Sequence, residues 1–107
     1  MSSFDDRKKR YESEFAHNAE LKFKAEARRN KLLGGWVANV LGLSGDEADA
    51  YAKTVILADL EEPGDEDVFR KVRGDLDKAG KTVSDEEIRE KISSLLIEAA
   101  EQIQAEG

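Results

Sequence analysis

The sequence contains no cysteine, one proline, one histidine and one tryptophan. Without cysteine there are no disulfides, thiolate metal sites or thiol nucleophiles, so stability has to come from packing. The lone histidine, His17, sits in a polar stretch, and no serine occupies a glycine-flanked elbow, so the common nucleophile and base pairs cannot be assembled. The chain is therefore expected not to be an enzyme and to need no cofactor. No run approaches the roughly 20 apolar residues of a membrane span, and the N-terminus lacks the apolar stretch of a secretory signal. A soluble cytoplasmic protein without direct membrane insertion is expected. Internal repeats, low-complexity tracts and strand-type alternation are absent as well.

What is present is a chain of 107 residues, 39% hydrophobic and 38% charged. That balance predicts one domain with a small core and an appendage outside it. The net charge of -7 is unevenly spread: residues 1–31 carry nine Lys or Arg against six Asp or Glu, and the remainder eight against eighteen. An acidic body argues against a dedicated nucleic-acid binder, which gains affinity from clustered cations that displace counterions from phosphate; only the arm could supply them.

Hydrophobic spacing predicts an all-α protein, a four-helix bundle with a flexible N-terminal arm able to extend the first helix. The first helix is the longest, ends at Gly42, and carries Leu32, Leu33, Trp36, Val37, Val40 and Leu41 on its last turns. Ser44 with Glu47, and Ser84 with Glu87, have the spacing of capping boxes that open the second and fourth helices. The second runs over 45–61, with Ala48, Tyr51, Ala52, Val55 and Leu60 inward. The third, over 65–79, follows the breaker pair Pro63-Gly64 and turns Val68, Phe69, Val72, Leu76 and Ala79 inward. In the fourth, Ile88, Ile92, Leu95, Leu96, Ala99 and Ile103 recur at three- and four-residue intervals and share one face. Gly34 and Gly35 are not followed by the Lys-Ser/Thr of a phosphate loop and fit close helix packing beside Trp36. The acidic residues Glu61, Glu62, Asp65, Glu66 and Asp67 lack calcium-loop spacing, and carboxylates at a helix start complement its exposed amides.

The arm poses the functional question. Its basic run Arg7, Lys8, Lys9, Arg10 is flanked by Asp5, Asp6, Glu12 and Glu14, which weakens attraction to phosphate. If residues 4–23 are helical, Phe4, Tyr11, Phe15 and Ala19 fall on roughly one line. Three aromatic rings on a marginal, charged helix suit insertion into a groove on another protein, with the surrounding charges keeping the arm soluble and steering docking.

The segments FDDR at 4–7, FAHNAEL at 15–21, AEARRNKLLGGW at 25–36, LGLSGDEADAYA at 41–52 and GDEDVFRK at 64–71 resemble the zeta-subunit family, inhibitors of the alphaproteobacterial F-type ATP synthase. The resemblance spans nearly the whole chain and is most specific around Ala25 to Trp36. It implies an arm over residues 1–19, disordered when free, and a four-helix domain over 20–107. It also implies that the arm becomes helical on entering a catalytic interface of the ATPase head, between the alpha, beta and gamma subunits, and blocks ATP hydrolysis. The residues assigned to that contact are Phe4, Arg7, Lys8, Arg10, Tyr11, Glu14, Phe15 and His17. The protein would be a monomer when free and peripheral to the inner membrane when bound. The alternative is a regulatory bundle that binds another protein, or a nucleotide between its helices, without inhibiting an ATPase.

Overall fold

The structure is a computed structural model that describes residues 3–59 and 64–106. Leu60, Glu61, Glu62 and Pro63, expected to close the second helix and break the chain, lie outside the described residues, as does Ser2. Within them the fold is all-α, with five helices: α1 (Ser3–Glu14), α2 (Ala19–Leu41), α3 (Gly45–Asp59), α4 (Glu66–Lys78) and α5 (Asp85–Glu106).

The fifth helix comes from a break that the apolar pattern conceals. The arm does not extend the first helix of the bundle, because the chain turns at Phe15 to Asn18 and starts afresh. Asn18 has extended backbone (φ -112°, ψ 108°), and its side-chain oxygen accepts from the Leu21 amide at 3.1 Å. That bond satisfies one of the orphan amides of a new helix. Ala19, expected in line with the three arm rings, is instead the first residue of α2.

Helix α2 organises the rest. It lies along α3 and α5, and α4 packs across all three. Leu33 and Val37 of α2, Val55 of α3, Val68, Val72 and Leu76 of α4, and Ile88 and Ile92 of α5 form the main core, flanked by the half-buried Trp36, Tyr51, Phe69 and Leu95. Gly34 lies so close to α3 that an added Cβ would come within 2.6 Å of the Ala52 backbone, so the absent side chain sets the α2–α3 distance. The expected glycine packing is therefore real at Gly34. At Gly35 a Cβ would meet nothing within 4 Å.

The helix ends follow local chemistry. Gly42, at φ 82°, adopts the left-handed conformation, and the Leu43 amide reaches back to the Ala38 carbonyl at 2.8 Å, satisfying the final turn of α2. Ser84 caps α5 by accepting from the Glu87 amide at 3.1 Å, and Val83 packs against the main core as a staple residue. Helix α3 begins at Gly45, as expected, with φ 57°, but among the described residues the Ser44 hydroxyl receives no matching bond from Glu47. Ala79, expected inward, caps α4 and is exposed.

Two polar residues are buried in α2. Arg29 is 0% exposed: its Nε donates to Asn30 Oδ1 at 2.7 Å, one terminal nitrogen to the Ile92 carbonyl at 3.3 Å and the other to Asp65 at 2.9 Å. Asn30 in turn donates to Asp59 at 2.8 Å. A charge taken out of water is tolerated when its donors are filled in this way. Asp59 ends α3 and Asp65 precedes α4, so neighbouring α2 residues hold both sides of that connection.

Candidate partner-binding face

Helix α1 lies on α5, the one described helix that its backbone approaches closely. Tyr11 and Phe15, one turn apart, stack with their ring centroids 5.6 Å apart and their planes 18° from parallel. Both are buried, at 8% and 4% exposure, in a second cluster with Ala25 of α2 and Ile97 and Ala100 of α5. Phe4, Leu21, Leu96 and Ile103 pack around this cluster.

Polar contacts fix the register of α1. Arg7 donates from Nε and from a terminal nitrogen to the two oxygens of Glu101, at 2.8 and 2.7 Å, a bidentate pair that orients as well as attracts. The hydrogen bond from Arg7 lowers the Glu101 carboxyl below its ordinary range, and the same bond raises the Arg7 guanidinium. Gln104 donates to Glu14 at 2.9 Å. The Tyr11 hydroxyl is buried with no hydrogen-bond partner among the described residues. Burial, with a smaller contribution from Glu26, pushes that hydroxyl's pKa up. Glu26 is itself raised, chiefly by burial, and Lys22, Asp59, Arg29 and Asp65 act on it more weakly.

The sequence-assigned residues thus divide between two faces. Phe4, Arg7, Tyr11 and Phe15 turn toward α5, and Glu14 reaches its rim. Lys8, Arg10 and His17 are exposed, with His17 in the turn before Asn18. The aromatic line foreseen in α1 exists from Phe4 to Phe15, and its rings are covered by the protein's own α5.

Sequence reasoning missed the surface beneath. Ile97, Ala100, Glu101 and Gln104 make a second face on α5, turned away from the one that Ile88 and Ile92 present to the main core. Their three- and four-residue spacing was available as a signal, but two apolar residues between charged ones were masked by the stronger stripe. Arg29 was missed although Ala25, Arg29, Leu33 and Val37 follow at four-residue intervals and all are 0% exposed.

Among the described residues no group of three His, Cys, Asp or Glu side chains could hold a metal ion. No helix there is long and apolar enough to cross a membrane. The fold and this face define a class: an all-helical protein whose N-terminal helix is capped off from the rest and fastened by an aromatic pair and one bidentate ion pair.

The family model for ATPase inhibitor subunit zeta matches residues 1–102, and the chain belongs to that family. A protein whose structure was solved in solution by NMR is 55% identical, with a TM-score of 0.73, over 81% of this chain and 99% of the other. No curated protein matches the chain.

Proposed function

We propose that this protein inhibits ATP hydrolysis by an F-type ATP synthase by inserting α1 at a catalytic interface of the head, against the alpha, beta and gamma subunits. The family supports an ATPase-inhibitor role and an ATP synthase partner. The observation that carries the insertion reading is the construction of α1. It has its own aromatic face, and the Asn18 cap closes α2 behind it, so removing α1 leaves the N-terminal turn of the bundle intact. Its face is held by a small contact that another groove could replace. The protein acts without catalysis of its own, from the cytoplasmic side, peripheral to the membrane through its partner.

On this reading Tyr11 and Phe15 have two alternative environments, α5 in the free protein and the ATPase interface in the complex. Insertion therefore requires undocking, and the Arg7–Glu101 pair has to open first or together with the rings. Lys8, Arg10 and His17, exposed while α1 is docked, are free to steer the first encounter.

The test is ATP hydrolysis by the purified soluble head, titrated with the full chain and with a Tyr11→Ala/Phe15→Ala variant. The full chain should inhibit and the variant should lose inhibition while keeping its helical spectrum. Absence of inhibition by the full chain would overturn the proposal. Undocking has a separate check, helped by the absence of native cysteine. Glu14→Cys and Gln104→Cys, joined by a short reducible linker, should abolish inhibition until the linker is cut.

A further inference from the structure

The outer side of α2, away from the Ala25 that carries the α1 rings, holds an apolar groove that the proposed wedge does not use. Phe23 is 60% exposed, one of the two large hydrophobic side chains left in water among the described residues. It opens a cavity of about 580 Å³ with Ala27, Ile56 and Ile103. A second cavity of about 580 Å³ continues along α3 past Leu32 and Gly35, and the two share Lys31 and Ile56. From Phe23 to Gly35 the groove follows α2 for about 18 Å, roughly three helical turns. Gly35, whose missing side chain serves no internal packing, keeps its far end open.

The rim charges run against the charge of the body. Lys24, Arg28, Lys31 and Lys53 border the groove, with Asp49 and Glu106 as the acids. Arg28 is held by Glu106 at 2.7 Å, and Lys24 lies 3.4 Å from Glu20. Lys31 and Lys53 are exposed and have no ionic partner among the described residues. Residues 20–107, which contain the whole groove, carry twenty acids against thirteen bases, so a basic-rimmed apolar strip is a local reversal of sign. An apolar floor with cations on its border matches a helix that is apolar on one face and acidic along its flanks.

We infer that this groove is a second docking site, occupied by an acidic amphipathic helix of the complex that α1 enters. The identity of that complex rests on the function proposed above; the chemistry of the groove does not. Two attachments on separate sides of α2 divide the work: α1 blocks, and the groove holds.

Two measurements test this separately. First, a synthetic amphipathic helix of about fourteen residues, Leu on one face and Glu on the other, is titrated into the isotope-labelled full chain. Amide shifts should concentrate at Phe23, Ala27, Lys31, Gly35 and Lys53, and the same peptide with Lys for Glu should bind at least tenfold more weakly. Equal response to both peptides, no shifts at the groove, or dimerisation of the chain through these residues would overturn the inference. Second, binding to the purified ATPase head is compared for the full chain, Lys31→Glu/Lys53→Glu, Phe23→Ser and Tyr11→Ala/Phe15→Ala. The groove variants should bind about tenfold more weakly and dissociate faster, yet still inhibit fully at saturation. The arm variant should retain weak binding without inhibition. Groove variants that bind like the parent would overturn the groove as a contact with the head while leaving the wedge in place. A parent chain that does not bind would instead remove the function and, with it, the head as the groove's partner.

Discussion

The main core and the cluster beneath α1 are built to different standards. Seven of the eight main-core residues are 0% exposed and the eighth, Ile92, is 4% exposed, and all four helices α2 to α5 contribute. The cluster under α1 combines two rings with three small or medium apolar side chains, a rim of half-exposed ions and a buried hydroxyl without a partner among the described residues. Contacts that interlock four elements resist local opening, whereas a helix held by one small cluster can open alone. The main core specifies a fold, and on the proposed insertion reading the smaller cluster holds a part that comes away.

The contrast can be broken most forcefully from the core side. Leu33→Ala should cost about 2–5 kcal/mol, read from chemical denaturation of the whole helical signal. Phe15→Ala, although its side chain is larger, should leave that transition nearly unmoved and speed hydrogen exchange only in α1. If both substitutions lower global stability equally, the two regions are one cooperative unit. Next in size, Gly34→Val drives a side chain into Ala52 and should cost about 1–3 kcal/mol in the same measurement without altering α1 exchange.

Tyr11→Phe should act with the opposite sign and only on the small cluster. A buried hydroxyl without a partner forfeits its hydration, at about 1–3 kcal/mol. Its removal should slow amide exchange in α1 and weaken inhibition, because the docked form gains. The smallest change is Glu101→Gln: the pair is half exposed, so about 0.2–1 kcal/mol is expected, seen as faster α1 exchange that added salt reproduces in the parent. The same pair sets a pH response. Glu101 is lowered in the folded state, so its contribution is complete above its ordinary value of 4.5 and is lost as pH falls through the lowered value. Methyl signals of Ile97 and Ala100 should therefore move toward their undocked positions only in that acid range, and should not do so in Glu101→Gln.

These differences also decide what the sequence made legible. Periodic stripes located α3, α4 and α5, the one in α4 despite Gly74 within it, and Gly42 and Ser84 marked ends that the structure keeps. Val68, Val72, Leu76, Ile88 and Ile92 were all identified as inward and are buried. The break at Asn18 was not legible, because Phe15, Ala19 and Phe23 continue a helical spacing across it and a single side-chain bond outweighs that weak pattern. The aromatic line of α1 was visible, but its seat was not: Ile97 and Ala100 form too short a face to compete with the main stripe of α5. Arg29 was hidden by its chemistry, since a guanidinium at a core position reads as surface until Asp65 and the Ile92 carbonyl are brought to it.

The turn from Phe15 to Asn18 has a consequence for how affinity should be measured. Only four residues separate α1 from α2, so the C-terminal end of a released α1 stays within about 17 Å of the point where α2 begins. A segment tethered this closely meets its own α5 seat at an effective concentration in the millimolar range, whatever the protein concentration in the tube. Any partner competes with that internal ligand, so the contact made through α1 should be weaker than its intrinsic affinity by the fraction of molecules in which α1 is undocked, an intramolecular discount that dilution cannot remove and that is read most directly in the groove variants.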